Sequence, residues 1–216
     1  MSLICSCPAA AALTTIPNVT CPENFGQIQK VAFQRLTKAD GTKNAFTSSA
    51  SILLKASWTA LLSAADGSKV VVSPYINAPA DSGGDARMTS GGNDDLGGIP
   101  EVLGGEPVQF GGSLRGVPQS VIKLMKELEC EANAGNLGVF LFDENGKIEA
   151  IQGTTSGTYY PIPIRALFIG SKVHGNYEAK DSNAISWYYP DNYSDDLAIV
   201  TPTDFNPLTD LVPASE

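Results

Sequence analysis

The stretch that most constrains the fold runs from Gln119 to Ile151, where a helical pattern is followed directly by a hairpin pattern. Val121, Leu124, Met125 and Leu128 recur at i, i+3, i+4 and i+7, so a helix carries all four on one face, and they are its expected core residues. Lys123, Lys126, Glu127 and Glu131 fall away from that face. The Lys123–Glu127 pair, four residues apart, adds about 0.3 kcal/mol. Pro118 and Ser120 stand where such a helix starts, and Asn133 to Gly135 where it stops. Asn145-Gly146 lies between two apolar runs and predicts a type I′ hairpin turn, because both residues tolerate positive φ. The first arm, Val139-Phe140-Leu141-Phe142, is apolar on both parities. That pattern predicts a central strand with the helix on one face and a second layer on the other.

Other segments add strands around this centre. Phe25 to Leu36 alternates over most of its length and predicts a long strand. Residues 51–62 suit a short helix with Ile52, Leu53, Ala56 and Ala60 on one side. Lys69 to Ile76 reads as a strand ended by Pro74 and Pro79. Val108 to Leu114, the Pro161–Pro163 stretch and Asn183 to Tyr189 supply further extended segments, and Leu197 to Val200 is a short apolar run. The expected class is therefore mainly β with one packed α-helix. The expected organisation is an extended N-terminal arm over 1–22, a β-rich domain over 23–200 and an extended C-terminal arm over 201–216.

Residues 81–116 break the pattern. Gly-Gly doublets begin at Gly83, Gly91, Gly97, Gly104 and Gly111, with Asp85, Arg87, Asp94, Asp95, Glu101 and Glu106 among them. Asp and Gly together suit an oxygen-ligand calcium loop, but the spacing matches neither an EF-hand loop nor a nonapeptide β-roll. No Gly-Lys-Ser/Thr follows to cradle a phosphate. Loops this long in compact domains are usually functional. The favoured reading is a loop that orders against a neighbouring copy, with those six charged residues as the self-assembly candidates.

Composition sets limits on chemistry. The net charge of −9 repels phosphate, so binding nucleic acid through a basic patch is disfavoured. Cys5, Cys7, Cys21 and Cys130 read as free thiols of a reducing compartment, since Cys-x-Cys is not a zinc spacing and His174 is the lone histidine. No signal peptide or membrane span is expected, which makes the chain a soluble product of the cytoplasm. His174 lies in a polar turn with no Gly-x-Ser-x-Gly elbow, Cys130 is expected as a buried structural thiol, and Asp94-Asp95 and Asp195-Asp196 read as solvated pairs. Trp187, Tyr188, Tyr189 and Tyr193 suit sugar stacking less well than strand packing plus an interface. The reading is a protein without catalysis, cofactor or metal.

Three stretches carry a resemblance: Cys-Pro-Glu-Asn-Phe-Gly-Gln-Ile-Gln-Lys at 21–30, Asn-Leu-Gly-Val-Phe-Leu-Phe-Asp-Glu-Asn-Gly-Lys-Ile at 136–148 and Ser-Asp-Asp-Leu-Ala-Ile-Val at 194–200. Together with the order of arm, strands, long loop, helix, hairpin and arm, the chain resembles a phage tail tube protein, or major tail protein, of the kind found in Bacteroidetes-infecting tailed phages. The resemblance implies a β-sandwich flanked by a helix, six copies to a ring, and rings stacked into a tube that conducts DNA. It also implies inter-ring contacts through the long loop and the arms, tail partners such as tape measure and terminator proteins, and a place in the virion. A head accessory protein, or a carbohydrate-binding β module, is the alternative.

Overall fold

The computed structural model describes residues 12, 15–21 and 23–212, with the backbone alone for Asp94. The elements, in chain order, are β1 (Ile28–Arg35), α1 (Lys55–Leu62), β2 (Val70–Val72), β3 (Ile76–Ser82), β4 (Ala86–Met88), β5 (Val102–Gly105) and β6 (Gln109–Arg115). There follow α2 (Gln119–Ala134), β7 (Leu137–Asp143), β8 (Ile148–Gln152), β9 (Tyr159–Tyr160), β10 (Ile162–Ile169), β11 (Ser182–Tyr188) and β12 (Leu197–Val200). The protein is mainly β with one long packed helix, and α1 is a second, short one. The chain divides into a larger unit, Phe25–Gly84 with Pro107–Glu216, and a smaller one, Met1–Asn24 with Asp85–Glu106.

In the larger unit β7 is the central strand, and every one of its residues is buried. Along one side β1 pairs antiparallel over Leu137–Asp143. Along the other, β8 pairs with Leu141 and Phe142, and β10 with Leu137, Gly138 and Val139. Further out, β2 lies on β1 and β12 on β8. Strand β10 then changes partners. From Arg165 onward it pairs with β11, which pairs with β6, which pairs with β3. A register shift between Arg165 and Phe168, with Ala166 at φ +50°, marks the change. Ile162 and Ile164 are buried before this bulge, Leu167 and Ile169 after it. The extra residue resets the parity, so one strand sends inward side chains into both parts of the sheet.

Two apolar cores result, one on each face of β7. In the first, Val31, Phe33, Val139 and Leu141 meet Phe110, Leu114, Ile185 and Trp187 from the second part of the sheet. Trp187 stacks on Phe110 at 3.9 Å and meets Phe33 edge-on at 6.2 Å. In the second, Ala32, Phe140 and Phe142 meet Trp58 of α1, whose ring lies 4.6–5.6 Å from those of Phe46, Phe140 and Phe142. Trp58 Nε1 donates to the Ile52 carbonyl at 2.8 Å, so the buried indole leaves no polar atom unpaired. Helix α1 starts at Lys55, later than expected, and buries Trp58, which the Ile52–Ala60 stripe did not include.

Several expectations are corrected. On α2 the fully buried residues are Ile122, Met125 and Ala132, with Val121 and Leu128 half-buried beside them. Leu124 is 63% exposed. At about 100° per residue it stands about 200° round the helix from Ile122, so the buried arc is turned one residue from the expected one. Cys130 is exposed as well. The 143–147 turn is not type I′: Gly146 has φ +77° while Asn145 does not have positive φ. Asp143 N–H donates to Lys147 O and Gly146 N–H to Asp143 O, which makes a three-residue loop closed by the glycine. The buried Asp143 carboxylate sets this geometry by accepting from the N–H groups of Gly26, Asn145 and Lys147 at 3.0, 2.9 and 2.7 Å. Pro79 does not end β3. It sits at a register shift beside Ala78 (φ +49°), on an edge strand where a missing N–H costs nothing.

The C-terminal stretch expected as a second arm packs instead on the larger unit as far as it is described. Leu211 is buried, and Phe205 and Leu208 lie against the second core. Lys30 Nζ donates to Leu208 O at 2.7 Å and stands 4.2 Å from the centre of the Tyr75 ring. Lys55 N–H donates to Asp204 Oδ1 at 2.9 Å. Residues 213–216, and most of the 1–22 arm, lie outside the described residues, among them Cys5 and Cys7.

Candidate assembly surface

The smaller unit contains the long loop. Strands β4 and β5 pair antiparallel, Ala86 opposite Gly105 and Met88 opposite Val102, so the Gly-rich stretch is an ordered hairpin. Its base is closed by Glu106 N–H donating to Asp85 O at 2.7 Å. Two 3-10 turns, Gly92–Asp94 and Leu96–Gly98, form the tip. Gly97 takes φ +76° there, a conformation that reverses the chain without straining a side chain.

Asp95 organises this tip. Its Oδ2 accepts from the Thr89 hydroxyl and from Gly91 N–H at 2.6 Å. Thr89 Oγ1 in turn accepts from Glu101 N–H at 2.8 Å, and Thr89 N–H donates to Glu101 O at 2.9 Å. One carboxylate thereby satisfies donors that the turn would otherwise leave to solvent. Asp95 therefore holds the hairpin together from within. Asp85, Arg87, Glu101 and Glu106 are exposed, and none of the ion pairs found among the described residues includes them. The Asp94 side chain lies outside what is described.

The apolar residues of the hairpin were not among the sequence candidates. Leu96 is 95% exposed and Ile99 71%, and Met88, Val102 and Leu103 are each more than half exposed. Five large apolar side chains stand in water within these 22 residues, a density that sets the segment apart from single scattered exposures. A signal was present: Leu96, Ile99, Val102 and Leu103 stand in a segment too rich in glycine to bury them. The carboxylates among the glycines mask that signal, because carboxylates suggest ligands.

The remaining candidates lie elsewhere in the larger unit. Trp187 and Tyr189 are buried in the first core, and Tyr193 stacks on Tyr189 at 4.3 Å. Tyr188 alone of the four aromatics is exposed, so they form no platform for a sugar. His174 is exposed, with Nδ1 3.7 Å from Asp181 Oδ2. Asp195 and Asp196 border a shallow depression with Gln152 and Thr154. Among the described residues no group of three or more His, Cys, Asp or Glu side chains could hold a metal ion, and no helix is long and apolar enough to cross a membrane.

No protein-family model matches the chain, and no curated protein matches it. Among solved structures a match is to a chain of the tail of an empty GTA particle, computed with helical refinement in C6 symmetry. The TM-score is 0.30 at 11% identity, over 59% of this chain and 82% of that one. A likeness of that size does not define a shared fold.

Proposed function

We propose that the chain is a structural, non-catalytic subunit of a phage tail, assembling with copies of itself as stacked six-membered rings that form the DNA-conducting tube. The observation that carries this reading is the hairpin, an ordered element whose large apolar side chains face water. Apolar side chains exposed at this density are kept where another protein covers them. The resemblance of the 21–30, 136–148 and 194–200 stretches supplies the kind of assembly. On this reading the tube contacts tail proteins such as tape measure and terminator, and DNA passes without specific binding. Two further features support it. The net charge of −9 opposes adhesion of phosphate. The outward positions in the middle of β6 and β11 are Gly111, Ser113, Ala184 and Ser186, small and uncharged side chains on the face opposite Phe110, Leu114, Ile185 and Trp187.

The test is mass photometry of the purified chain beside a Leu96→Asp, Ile99→Asp variant. The reading expects multimers of the native chain and loss of those multimers in the variant, with thermal unfolding of the larger unit unchanged. A native chain that stays monomeric as its concentration rises contradicts it.

A further inference from the structure

If the hairpin is one half of a contact, the other half has to be a surface that accepts aliphatic side chains flanked by carboxylates. The larger unit has a depression of that character, about 300 Å³, where the end of β1 meets β8, β9 and β10. Leu36, Ile151, Tyr160, Pro161 and Pro163 give it apolar walls, and Lys43 stands at its side with Nζ 5.7 Å from the centre of the Tyr160 ring. The two prolines offer no backbone N–H, so an apolar side chain entering there leaves no donor of theirs unpaired.

Charge selects the occupant. Residues 85–106 carry five carboxylates against the single basic residue Arg87. Of the residues lining the depression Lys43 alone is charged. A lysine at the side of an apolar depression is complementary to an acidic, apolar-tipped hairpin. Leu96 and Ile99 are separated by two glycines without side chains, so the tip is thin enough to present both aliphatic groups to one depression.

We infer that the depression between Leu36, Ile151, Tyr160 and the two prolines receives the hairpin tip of a second copy of this chain, with Leu96 and Ile99 as the inserted side chains and Lys43 facing the hairpin's carboxylates. This rests on the reading of the hairpin as the assembly element. Hairpin and depression are different surfaces, so the contact propagates from copy to copy into a closed ring or an open filament wherever two copies do not insert reciprocally about a two-fold axis.

The experiment uses the full chain with benzoylphenylalanine installed at position 96, as a mixture of ¹⁵N-labelled and unlabelled protein, with cross-linked peptides mapped by mass spectrometry after irradiation. The expected result is mixed-isotope cross-links from position 96 to peptides covering 36–44 or 151–163. Lys43→Glu, an exposed position, is expected to raise the concentration needed for assembly at least tenfold, and Glu101→Lys in the same chain to recover part of that loss. Mixed-isotope cross-links confined to other peptides, or a Lys43→Glu chain that assembles like the native one, overturn the inference. Those two outcomes leave the hairpin's role standing if the Leu96→Asp, Ile99→Asp chain still fails to assemble. Loss of the multimers themselves removes both.

Discussion

At the scale of single residues, burial and charge pairing make distinct demands. Ile122 and Leu124 stand two positions apart on one helix, one buried and one in water. Ile122→Ala is expected to cost about 2–5 kcal/mol by lost burial and cavity formation. Leu124→Ala is expected to stay within about 0.5 kcal/mol. Denaturant unfolding of both variants checks the pair, and equal losses would place the helix in the wrong rotation. Asp181 supplies a titration test. The Lys172 ammonium at 2.6 Å and the Gly175 N–H hold its carboxyl down to about 2. A carboxyl whose folded value is depressed contributes stability above its unfolded value of about 4 and loses it as pH falls through the folded value. An NMR titration is therefore expected to show Asp181 protonating near pH 2, and Lys172→Ala is expected to move that midpoint up toward about 3.9. An unchanged midpoint would contradict the pairing.

At the scale of elements, the C-terminal segment behaves as a strap. Leu211, Phe205 and Leu208 complete a core whose other members include residues of β1, β2, β7, β8, β12 and α1. Leu211→Ala is expected to cost about 2–5 kcal/mol and to shift Trp58 emission to the red, as water reaches the indole. A variant with native stability would make the segment the arm that its prolines suggested. What the sequence showed and hid follows from the range of the interactions. The helix, its left-handed glycine stop and the doubly apolar β7 were legible because they rest on local periodicity and local turn chemistry. The strap was not, because Leu208 and Leu211 are apolar in a proline-rich stretch and their burial depends on a core assembled from elements far off in the chain. The hairpin turn type was missed because the Asp143 side chain selects it, accepting from the N–H groups of Asn145 and Lys147 inside the turn. The proposed assembly surface falls on a stretch that the sequence marks, but on residues of another kind. The glycine doublets mark 81–116, but Asp95 braces the loop from within, and the apolar residues that face water have no periodic pattern to set them apart from the charges.

At the scale of the whole molecule, an acidic net charge and an apolar hairpin act on different partners. The charge keeps polyanions off, and duplex DNA is expected to show no retention by this chain in a gel-shift experiment at about 0.15 M salt. Strong retention there would be incompatible with a conduit through which DNA slides. On the proposed reading the hairpin draws in protein. The most direct test of that central claim is negative-stain electron microscopy of the concentrated full chain beside one lacking residues 86–105. Hollow tubes, or six-membered rings with a central hole, are predicted for the full chain, and isolated particles for the shortened one. Isolated single subunits from the full chain at every concentration, or tubes from the chain without its hairpin, would contradict the account.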